Sequence, residues 1–228
     1  MKLMIACGFL IMGFSRGDAG KHVISQRLVF SDDFSGDNLS DSWVIEKNVN
    51  EENVCGLRNG VMELNSENGV TVWYKEKLSG NILIEFDRKV IMGGGKHDRL
   101  SDLNQFWMAT DPNKKMFTRE GAFREYDSLQ LYYVGMGGNY NTTTRMRRYD
   151  GRGKLEIIGE LTDSAHLLQP DKNYHIVISC NNGEISFRVD NVIFFSFKDN
   201  NPLTSGWFAI RSTRSHQLID NLKIWQLE

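Results

Sequence analysis

The feature that most constrains the fold of this chain is the alternation of apolar and polar residues in short runs between turn residues. ILIEFDRKV, residues 82–90, places isoleucines and a phenylalanine on one side of an extended chain and charged residues on the other, which is typical of a strand with one buried face. In YHIVISCNNGEISFRVDNVIFFSF, residues 174–197, Asn-Asn-Gly and Asp-Asn turns separate three such strands. Helix-period stretches are almost absent, apart from a short one around residues 161–168. The pattern therefore predicts an all-β fold of about a dozen strands.

The length of the chain, 228 residues, is compatible with one large β domain. Residues 1–19 have the features of a secretory signal peptide: a lysine precedes an apolar run at residues 3–14, and Gly17 and Ala19 form a site that signal peptidase accepts. The apolar run is shorter than the about 20 residues of a membrane span. We therefore predict cleavage after Ala19, one domain over residues 20–228, a secreted or periplasmic location and no membrane insertion.

The charge of the chain gives no indication of a nucleic-acid partner, because the formal net charge is only −2. We expect a monomer. Two cysteines, Cys55 and Cys180, remain after removal of the signal peptide. In an oxidising compartment they could form a disulfide, but they could equally be two separate buried thiols.

Several segments resemble a known family. They are FSDDFSG and LSDSWVIE near the start, QFWMATDP and FREYDSLQLYY in the centre, and GWFAIRSTRSHQLIDNLKIWQL at the end. These segments are similar to those of the concanavalin A-like jelly-roll proteins of bacterial polysaccharide-utilisation loci, and most of all to the YesU-like group. The resemblance implies a β-sandwich of two antiparallel sheets, one of them curved into a groove for a glycan. It therefore also implies a role in carbohydrate processing.

A cluster of arginines in LQLYYVGMGGNYNTTTRMRRYDG, residues 129–151, suggests what the groove would bind. Arg145, Arg147 and Arg148 lie within four positions, and together they require anionic partners. Guanidinium groups bind carboxylates in a bidentate manner, so an acidic or sulfated sugar is one such partner. The alternative is that the arginines form ion pairs with Asp and Glu on an exposed convex face, where each pair contributes about 0–1 kcal/mol. We favour the groove.

The candidates for substrate binding each offer an indole, an amide or a guanidinium group on the face that we assign to the groove, where Tyr132 also lies. Flat aromatic rings stack on the C–H faces of sugars, and amides and guanidinium groups hold hydroxyls and carboxylates. The candidates are Gln105, Trp107, Gln130, Asn139, Arg145, Arg147 and Arg211. The sequence thus predicts that these side chains converge in one hollow.

The candidates for catalysis depend on how the sugar bond is cleaved. Hydrolysis commonly uses two carboxyl groups, for which Asp102 and Glu125 are available; β-elimination needs a neutralised sugar carboxylate and a base, for which Tyr132 and His216 are available. The sequence leaves hydrolysis and elimination open, and a noncatalytic carbohydrate-binding module is the alternative to both.

Metal binding has little support in the sequence, and we predict no cofactor. The one exception is a possible structural calcium ion at Asp32, Asp33 and Asp220, since calcium prefers carboxylate oxygens. Acidic turn residues more often cap their own backbone.

Overall fold

The computed structural model describes residues 25–52, 54–113 and 115–228. The predicted signal peptide lies outside the described residues. Within them, no helix is long and apolar enough to cross a membrane.

The described residues form sixteen β-strands and three short helical turns. The strands are β1 (Gln26–Asp32), β2 (Trp43–Lys47), β3 (Cys55–Arg58), β4 (Val61–Ser66), β5 (Val70–Tyr74), β6 (Leu78–Ser79), β7 (Ile82–Val90), β8 (Leu103–Thr110), β9 (Gln130–Gly137), β10 (Thr143–Asp150), β11 (Leu155–Leu161), β12 (Asn173–Asn181), β13 (Glu184–Val189), β14 (Val192–Lys198), β15 (Ser205–Ser212) and β16 (Ser215–Leu227). Two 3-10 turns, Phe123–Tyr126 and Ser164–His166, and one helical turn, Gly138–Asn141, connect them. The second 3-10 turn lies where the sequence predicts a short helix.

The strands form two antiparallel sheets, so the prediction of an all-β sandwich is confirmed. The back sheet has the order β14-β13-β12-β7-β16-β4-β3, with β1 paired to β16. The front sheet has the order β11-β10-β9-β8-β15-β5-β2, with β6 paired to β15. The predicted meander is present as β12, β13 and β14, which pair in sequence.

The main core lies between the two sheets. Strand β7 alternates strictly between buried and half-buried residues, and its buried side chains pack against the front sheet. The ring centroids of Phe86 on β7 and Phe208 on β15 are 5.6 Å apart. Trp107 of β8 and Ile178 of β12 are fully buried in the same cluster. Burial of this apolar surface is the main favourable contribution to folding.

The side chain of Arg88 on β7 extends through this core from the back sheet and binds the inner side of the front sheet. The guanidinium group of Arg88 donates hydrogen bonds to the backbone oxygens of Asn104 (2.8 Å) and Arg211 (3.1 Å), to Gln105 Oε1 (3.1 Å) and to Gln217 Oε1. Burial lowers the pKa of Arg88 to about 9. Arg88 thereby holds β8 and β15 together at the positions of Asn104 and Arg211.

The two cysteines do not form a disulfide in the structure. Cys55 lies on β3 and Cys180 on β12, and both are free thiols. Desolvation by burial raises the pKa of each thiol to about 12. Of the two alternatives that the sequence leaves open, the structure has the separate thiols.

Candidate functional site

Cross-strand register decides which side chains share the outer face of the front sheet, the face turned away from the core. Residues directly opposite each other in antiparallel strands lie on the same face. Tyr133 of β9 is opposite both Phe106 of β8 and Arg147 of β10. Arg211 of β15 pairs with Asn104 of β8, which places these two on the same face. Aromatic and guanidinium groups from four neighbouring strands therefore meet there.

The same register corrects the predicted positions of Gln105, Trp107 and Tyr132, which face the core and not the groove. Trp107 is opposite Tyr132 and fully buried, with ring centroids 5.8 Å apart. The amide of Gln105 accepts from Arg88 and donates to the backbone oxygen of Val134 (2.8 Å). Alternation assigns faces within one strand but does not say which faces of different strands coincide. The sequence interpretation therefore combined the core-facing residues of β8 and β9 with the outward-facing residues of β10 and β15.

Because Tyr132 faces the core, it cannot act as a base toward a ligand on the outer face. Its hydroxyl donates to Asp199 Oδ2 (2.6 Å) and accepts from the backbone N–H of Leu203 (3.0 Å). Burial, followed by the hydrogen bond to the Asp199 carboxylate, raises the pKa of Tyr132 well above its usual range.

A loop, residues 111–127, covers one half of the outer face. Its aromatic side chains lie against aromatic side chains of the sheet. The ring of Tyr126 is 5.3 Å from that of Phe106, and the ring of Phe117 is 5.7 Å from that of Trp207. This second apolar cluster is separate from the main core. We call this part of the face the covered half.

The polar groups of the covered half bind one another. The buried carboxylate of Glu46 accepts hydrogen bonds from Trp73 Nε1 (2.7 Å), Tyr126 Oη (3.0 Å) and the backbone N–H of Arg119 (2.8 Å). The guanidinium group of Arg119 forms an ion pair with Asp111. These contacts fix the loop to the sheet.

The other half of the outer face, the open half, contains a cavity of about 270 Å³. Its lining combines guanidinium groups with aromatic rings, small polar side chains and one carboxylate. The lining residues are Asp102, Asn104, Phe123, Tyr133, Gly135, Gly138, Asn139, Thr143, Arg145, Arg147, Arg211 and Thr213. The cavity is mainly cationic, and it has flat apolar walls. This combination suits an anion attached to an apolar ring or chain.

Two guanidinium groups of the cavity have no carboxylate within ion-pair distance among the described residues. Arg147 lies over the Tyr133 ring at 5.3 Å and donates to Tyr149 Oη (3.3 Å). Arg211 is 1 % exposed, donates to the backbone oxygen of Gly121 (2.9 Å) and lies 4.9 Å from the Phe123 ring. The Nε atoms of both arginines are buried and have no hydrogen-bond partner in the part of the chain that the structure describes. Burial lowers the pKa of Arg211.

Other arginines near the cavity do have carboxylate partners. Arg145 forms an ion pair with Glu160, and Arg99 forms one with Asp102. Arg148, on the opposite face of β10, pairs with Asp199 at 2.8 Å. Of the three arginines that line the cavity, Arg147 and Arg211 therefore lack a carboxylate partner within the described residues, and Arg145 has one.

Tyr133 lies in the floor of the cavity because the neighbouring residue in space is a glycine. A Cβ on Gly135 would collide with Tyr133 Oη and would come within 2.8 Å of Asn104 Oδ1. The phenol donates a hydrogen bond to Asn104 Oδ1 at 2.8 Å. Burial raises the pKa of Tyr133 above its usual range, and the charge of Arg147 partly opposes this.

The structure brings together five of the predicted site residues and separates the others. Asp102, Asn139, Arg145, Arg147 and Arg211 line the cavity. Gln130 lies beside Arg148 in a different depression, lined also by residues 201–205.

Two of the predicted catalytic residues also have structural contacts elsewhere. The carboxylate of Glu125 accepts from the backbone N–H groups of Glu120 and Ala122, both at 3.0 Å, and so stabilises the covering loop. His216 lies on β16 of the back sheet, between Glu63 (2.6 Å) and Asp98 (3.1 Å). Neither lines the cavity.

The sequence interpretation missed Asn104, Phe123, Tyr133 and Thr213. Tyr133 shares one face of its strand with the apolar residues Leu129 and Leu131, so the sequence pattern suggests a core residue. A hairpin centred on Tyr140 pairs Tyr133 with Arg147, as observed. The pairing with Arg147 would have identified Tyr133 as a residue of the site.

Among the described residues, no group of three His, Cys, Asp or Glu side chains could hold a metal ion. At the predicted calcium position, Asp32 accepts from Phe34 N (2.9 Å) and Trp43 Nε1 (2.8 Å), and Asp33 accepts from Ser35 N (3.2 Å). These carboxylates cap their own turn. A calcium ion here stays a prediction.

Comparison with known families gives one match. A family model described as a domain of unknown function, DUF6250, matches residues 64–222. The chain belongs to the DUF6250 family. No curated protein matches the sequence.

Solved structures similar to this DUF6250 protein share its fold at low sequence identity. A Bacillus subtilis protein of unknown function with a galectin-like fold is 14% identical, covers 90% of this chain and 99% of its own, and has a TM-score of 0.68. The Bacillus subtilis carbohydrate-binding module CBM66 is 12% identical, with coverages of 79% and 93% and a TM-score of 0.54. An endo-β-1,3-glucanase from Pyrococcus furiosus is 13% identical, with coverages of 89% and 95% and a TM-score of 0.61. At these identities the similarity is evidence of fold alone, and it confirms the concanavalin A-like jelly roll.

Proposed function

We propose that this protein is a secreted carbohydrate-active protein that binds an acidic saccharide in the cavity of the open half. The observation that carries the proposal is the pair of guanidinium groups, Arg147 and Arg211, which face the cavity without a carboxylate partner in the described ranges 25–52, 54–113 and 115–228. Burying a cation is costly unless a counter-charge compensates. A ligand carboxylate or sulfate would supply that charge.

The remaining lining fits the other surfaces of a sugar. The rings of Tyr133 and Phe123 offer flat apolar walls, and Asn139 and Thr143 offer polar groups for hydroxyls. Two of the structural neighbours are a carbohydrate-binding module and a glucanase. They support a saccharide ligand at the level of the fold. Membership of the YesU-like group and secretion after loss of residues 1–19 are further parts of this proposal.

Cleavage of the saccharide by β-elimination is a second candidate, favoured by the position of Tyr133 beside Arg147. Arg147 and Arg211 would neutralise the sugar carboxylate and so acidify the neighbouring C–H. The phenolate form of Tyr133 would remove that proton, and the resulting phenol would return it to the oxygen of the bond that breaks, as a carbon–carbon double bond forms. Hydrolysis is less well supported, because the cavity lining contains a single carboxylate, Asp102, and this is ion-paired with Arg99.

Binding is tested by calorimetry with glucuronate, galacturonate, sulfated and neutral oligosaccharides. We expect Arg147→Ala to weaken an acidic ligand by about 1.5–3 kcal/mol, the range for hydrogen bonds to charged groups. Arg58→Ala is the matched control, because it removes the same charge from the back sheet, where the side chain is 69% exposed. Equal affinity for acidic and neutral sugars, or equal effects of both substitutions, would contradict the proposal.

Elimination is tested by incubating the protein with polyuronates. Elimination gives new reducing ends together with the ultraviolet absorbance of an unsaturated uronate, whereas hydrolysis gives reducing ends alone. Since the pKa of Tyr133 is raised, the rate should increase with pH on the alkaline side of neutrality, and Tyr133→Phe should abolish it. Binding without either product would identify a noncatalytic module.

A further inference from the structure

A second depression adjoins the cavity at Thr213. It is lined by Glu67, Asn68, Arg99, Tyr140, Thr213 and Arg214, and its volume is about 340 Å³. Thr213 lines both the cavity and the depression. Its buried Oγ1 has no hydrogen-bond partner within the described part of the chain. A ligand in the cavity could therefore extend across Thr213 into the depression.

Tyr140 gives this depression an aromatic surface. Its side chain is 78% exposed, more than that of any other large hydrophobic residue described. Its backbone has φ 58° and ψ 46°, in the left-handed region that aromatic residues rarely adopt, and Asn139 and Asn141 on either side also have positive φ. Such a conformation persists only where the surroundings fix it, and it often occurs at ligand sites.

The contacts that fix this turn come from neighbouring side chains. Asn141 donates from Nδ2 to the backbone oxygen of Leu168 (2.9 Å) and accepts at Oδ1 from its N–H (2.8 Å). Thr142 Oγ1 donates to the backbone oxygen of Asn139 (2.9 Å). These contacts fix the turn from which the exposed Tyr140 ring projects, so less conformational entropy is lost when a ligand binds to the ring.

Arg99 connects the Tyr140 ring to the cavity. Its guanidinium group lies 5.3 Å from the ring centroid and donates to the backbone oxygens of Arg214 (3.0 Å) and Thr213 (2.8 Å). It also forms the ion pair with Asp102, which lines the cavity. One set of contacts therefore positions both the wall of the cavity and the exposed ring.

The covering loop contacts the wall of the cavity at Arg211. Gly121 accepts the hydrogen bond from Arg211 and lies against Gly69, so that a Cβ on either glycine would collide with the other residue's backbone oxygen. Phe123 stacks on Arg211 beside it. These contacts hold the Arg211 guanidinium group in the wall of the cavity.

We propose that the depression at Tyr140 is the second subsite of a two-unit saccharide site: an acidic sugar occupies the cavity, and the neighbouring sugar of the chain stacks on Tyr140. This inference rests on the proposed function of the cavity. It identifies the ligand as an acidic saccharide of two or more units. Aromatic stacking on the C–H face of the second sugar supplies the additional affinity.

The test compares glucuronate, galacturonate and mannuronate with their disaccharides by calorimetry, using the full protein and three variants. We expect one uronate to bind in a manner that depends on Arg147, and its disaccharide to bind roughly three- to tenfold more tightly. Tyr140→Asn should remove that gain and leave the monosaccharide affinity unchanged, because asparagine tolerates the left-handed backbone. Tyr140→Phe should keep the gain.

The outcomes separate the two proposals. A monosaccharide that binds through Arg147, with a disaccharide that binds no more tightly, overturns the second subsite and leaves the proposed function intact. So does a gain that survives Tyr140→Asn. If neither these uronates nor the sulfated oligosaccharides bind, or if Arg147→Ala has no effect on the monosaccharide, the proposed function fails, and the subsite fails with it.

Discussion

The covered and open halves of the outer face belong to the same sheet but differ in how their polar groups are compensated. In the covered half, Glu46 binds three donors from the sheet and the loop, and Arg119 is paired with Asp111. In the open half, Arg147 and Arg211 have aromatic neighbours but no carboxylate within ion-pair distance among the described residues. The covered half has its counter-charges within the protein, and the open half would obtain them from a ligand.

This difference separates polar groups that stabilise the fold from those available for binding. A buried polar group with its partners rigidifies the structure, whereas one without them costs free energy until a ligand supplies the partner. Proteins commonly accept such a cost at binding sites. Substitutions in the two halves should therefore affect different measurements: unfolding for the covered half and affinity for the open half.

The largest effect should come from Glu46→Ala in the covered half. It leaves the buried donors of Trp73, Tyr126 and Arg119 without their acceptor. We expect a loss of about 3–5 kcal/mol in the free energy of unfolding, measured by urea denaturation. Glu156→Ala, at an exposed position on β11, is the control and should change stability by no more than about 0.5 kcal/mol. Similar values for both would mean that Glu46 does not fix the loop.

Arg211→Met, in the open half, should lower the affinity for a ligand and leave the stability of the fold almost unchanged. The substitution removes a nearly fully buried cation, and the desolvation cost that is released offsets the lost hydrogen bond to Gly121. We expect the free energy of unfolding to change by less than about 1 kcal/mol, and affinity for an acidic saccharide to fall by more than about tenfold. A variant that unfolds easily but binds normally would assign Arg211 to the structural group instead.

A smaller effect should appear at alkaline pH through Tyr126, which donates to Glu46 in the covered half. Burial, and then the Glu46 charge, raises the pKa of Tyr126 well above its usual value. The fold therefore favours the neutral phenol, so its contribution is complete below the unfolded pKa of about 10 and is lost as pH rises above it, by about 1.4 kcal/mol per unit.

Tyr126→Phe removes this titration but also removes the hydrogen bond to Glu46. The variant should be less stable than the parent at neutral pH, and the difference should narrow as the pH of urea denaturation is raised above about 10. A difference that stays constant with pH would show that Tyr126 does not contribute to alkaline unfolding.

The comparison of the two halves also explains how far the sequence could predict this site. Alternation correctly placed Arg145 and Arg147 on one face of β10, and it placed Arg211 on the face of β15 opposite the apolar residues Phe208 and Ile210. It failed in β8, where seven of the eight residues are buried. Because the covering loop buries the outer face of β8, both faces of this strand carry large apolar side chains: Phe106 on the outer face and Trp107 on the inner face. The sequence pattern therefore does not distinguish the two faces.

Loop positions were beyond prediction for a related reason. The covering loop lies over the sheet partly because Arg119 contacts Glu46, which is distant in sequence, so local sequence pattern does not predict its position. Cross-strand pairs such as Tyr133 with Arg147 were within reach, since a hairpin turn fixes its own register.

The smallest effect should come from Glu160→Ala, which changes the charge balance at the border of the open half. Arg145 lines the cavity and is ion-paired with Glu160, with side-chain exposures of 27% and 38%. A partly exposed pair of this kind contributes about 0–1 kcal/mol to stability, so unfolding should change little. Release of the Arg145 guanidinium should make the cavity more cationic and raise the affinity for an acidic saccharide by roughly two- to fivefold at low salt, with the gain lost at high salt. If affinity falls instead, Glu160 contacts the ligand directly, and the anion lies closer to Arg147 and Arg211 than to Arg145.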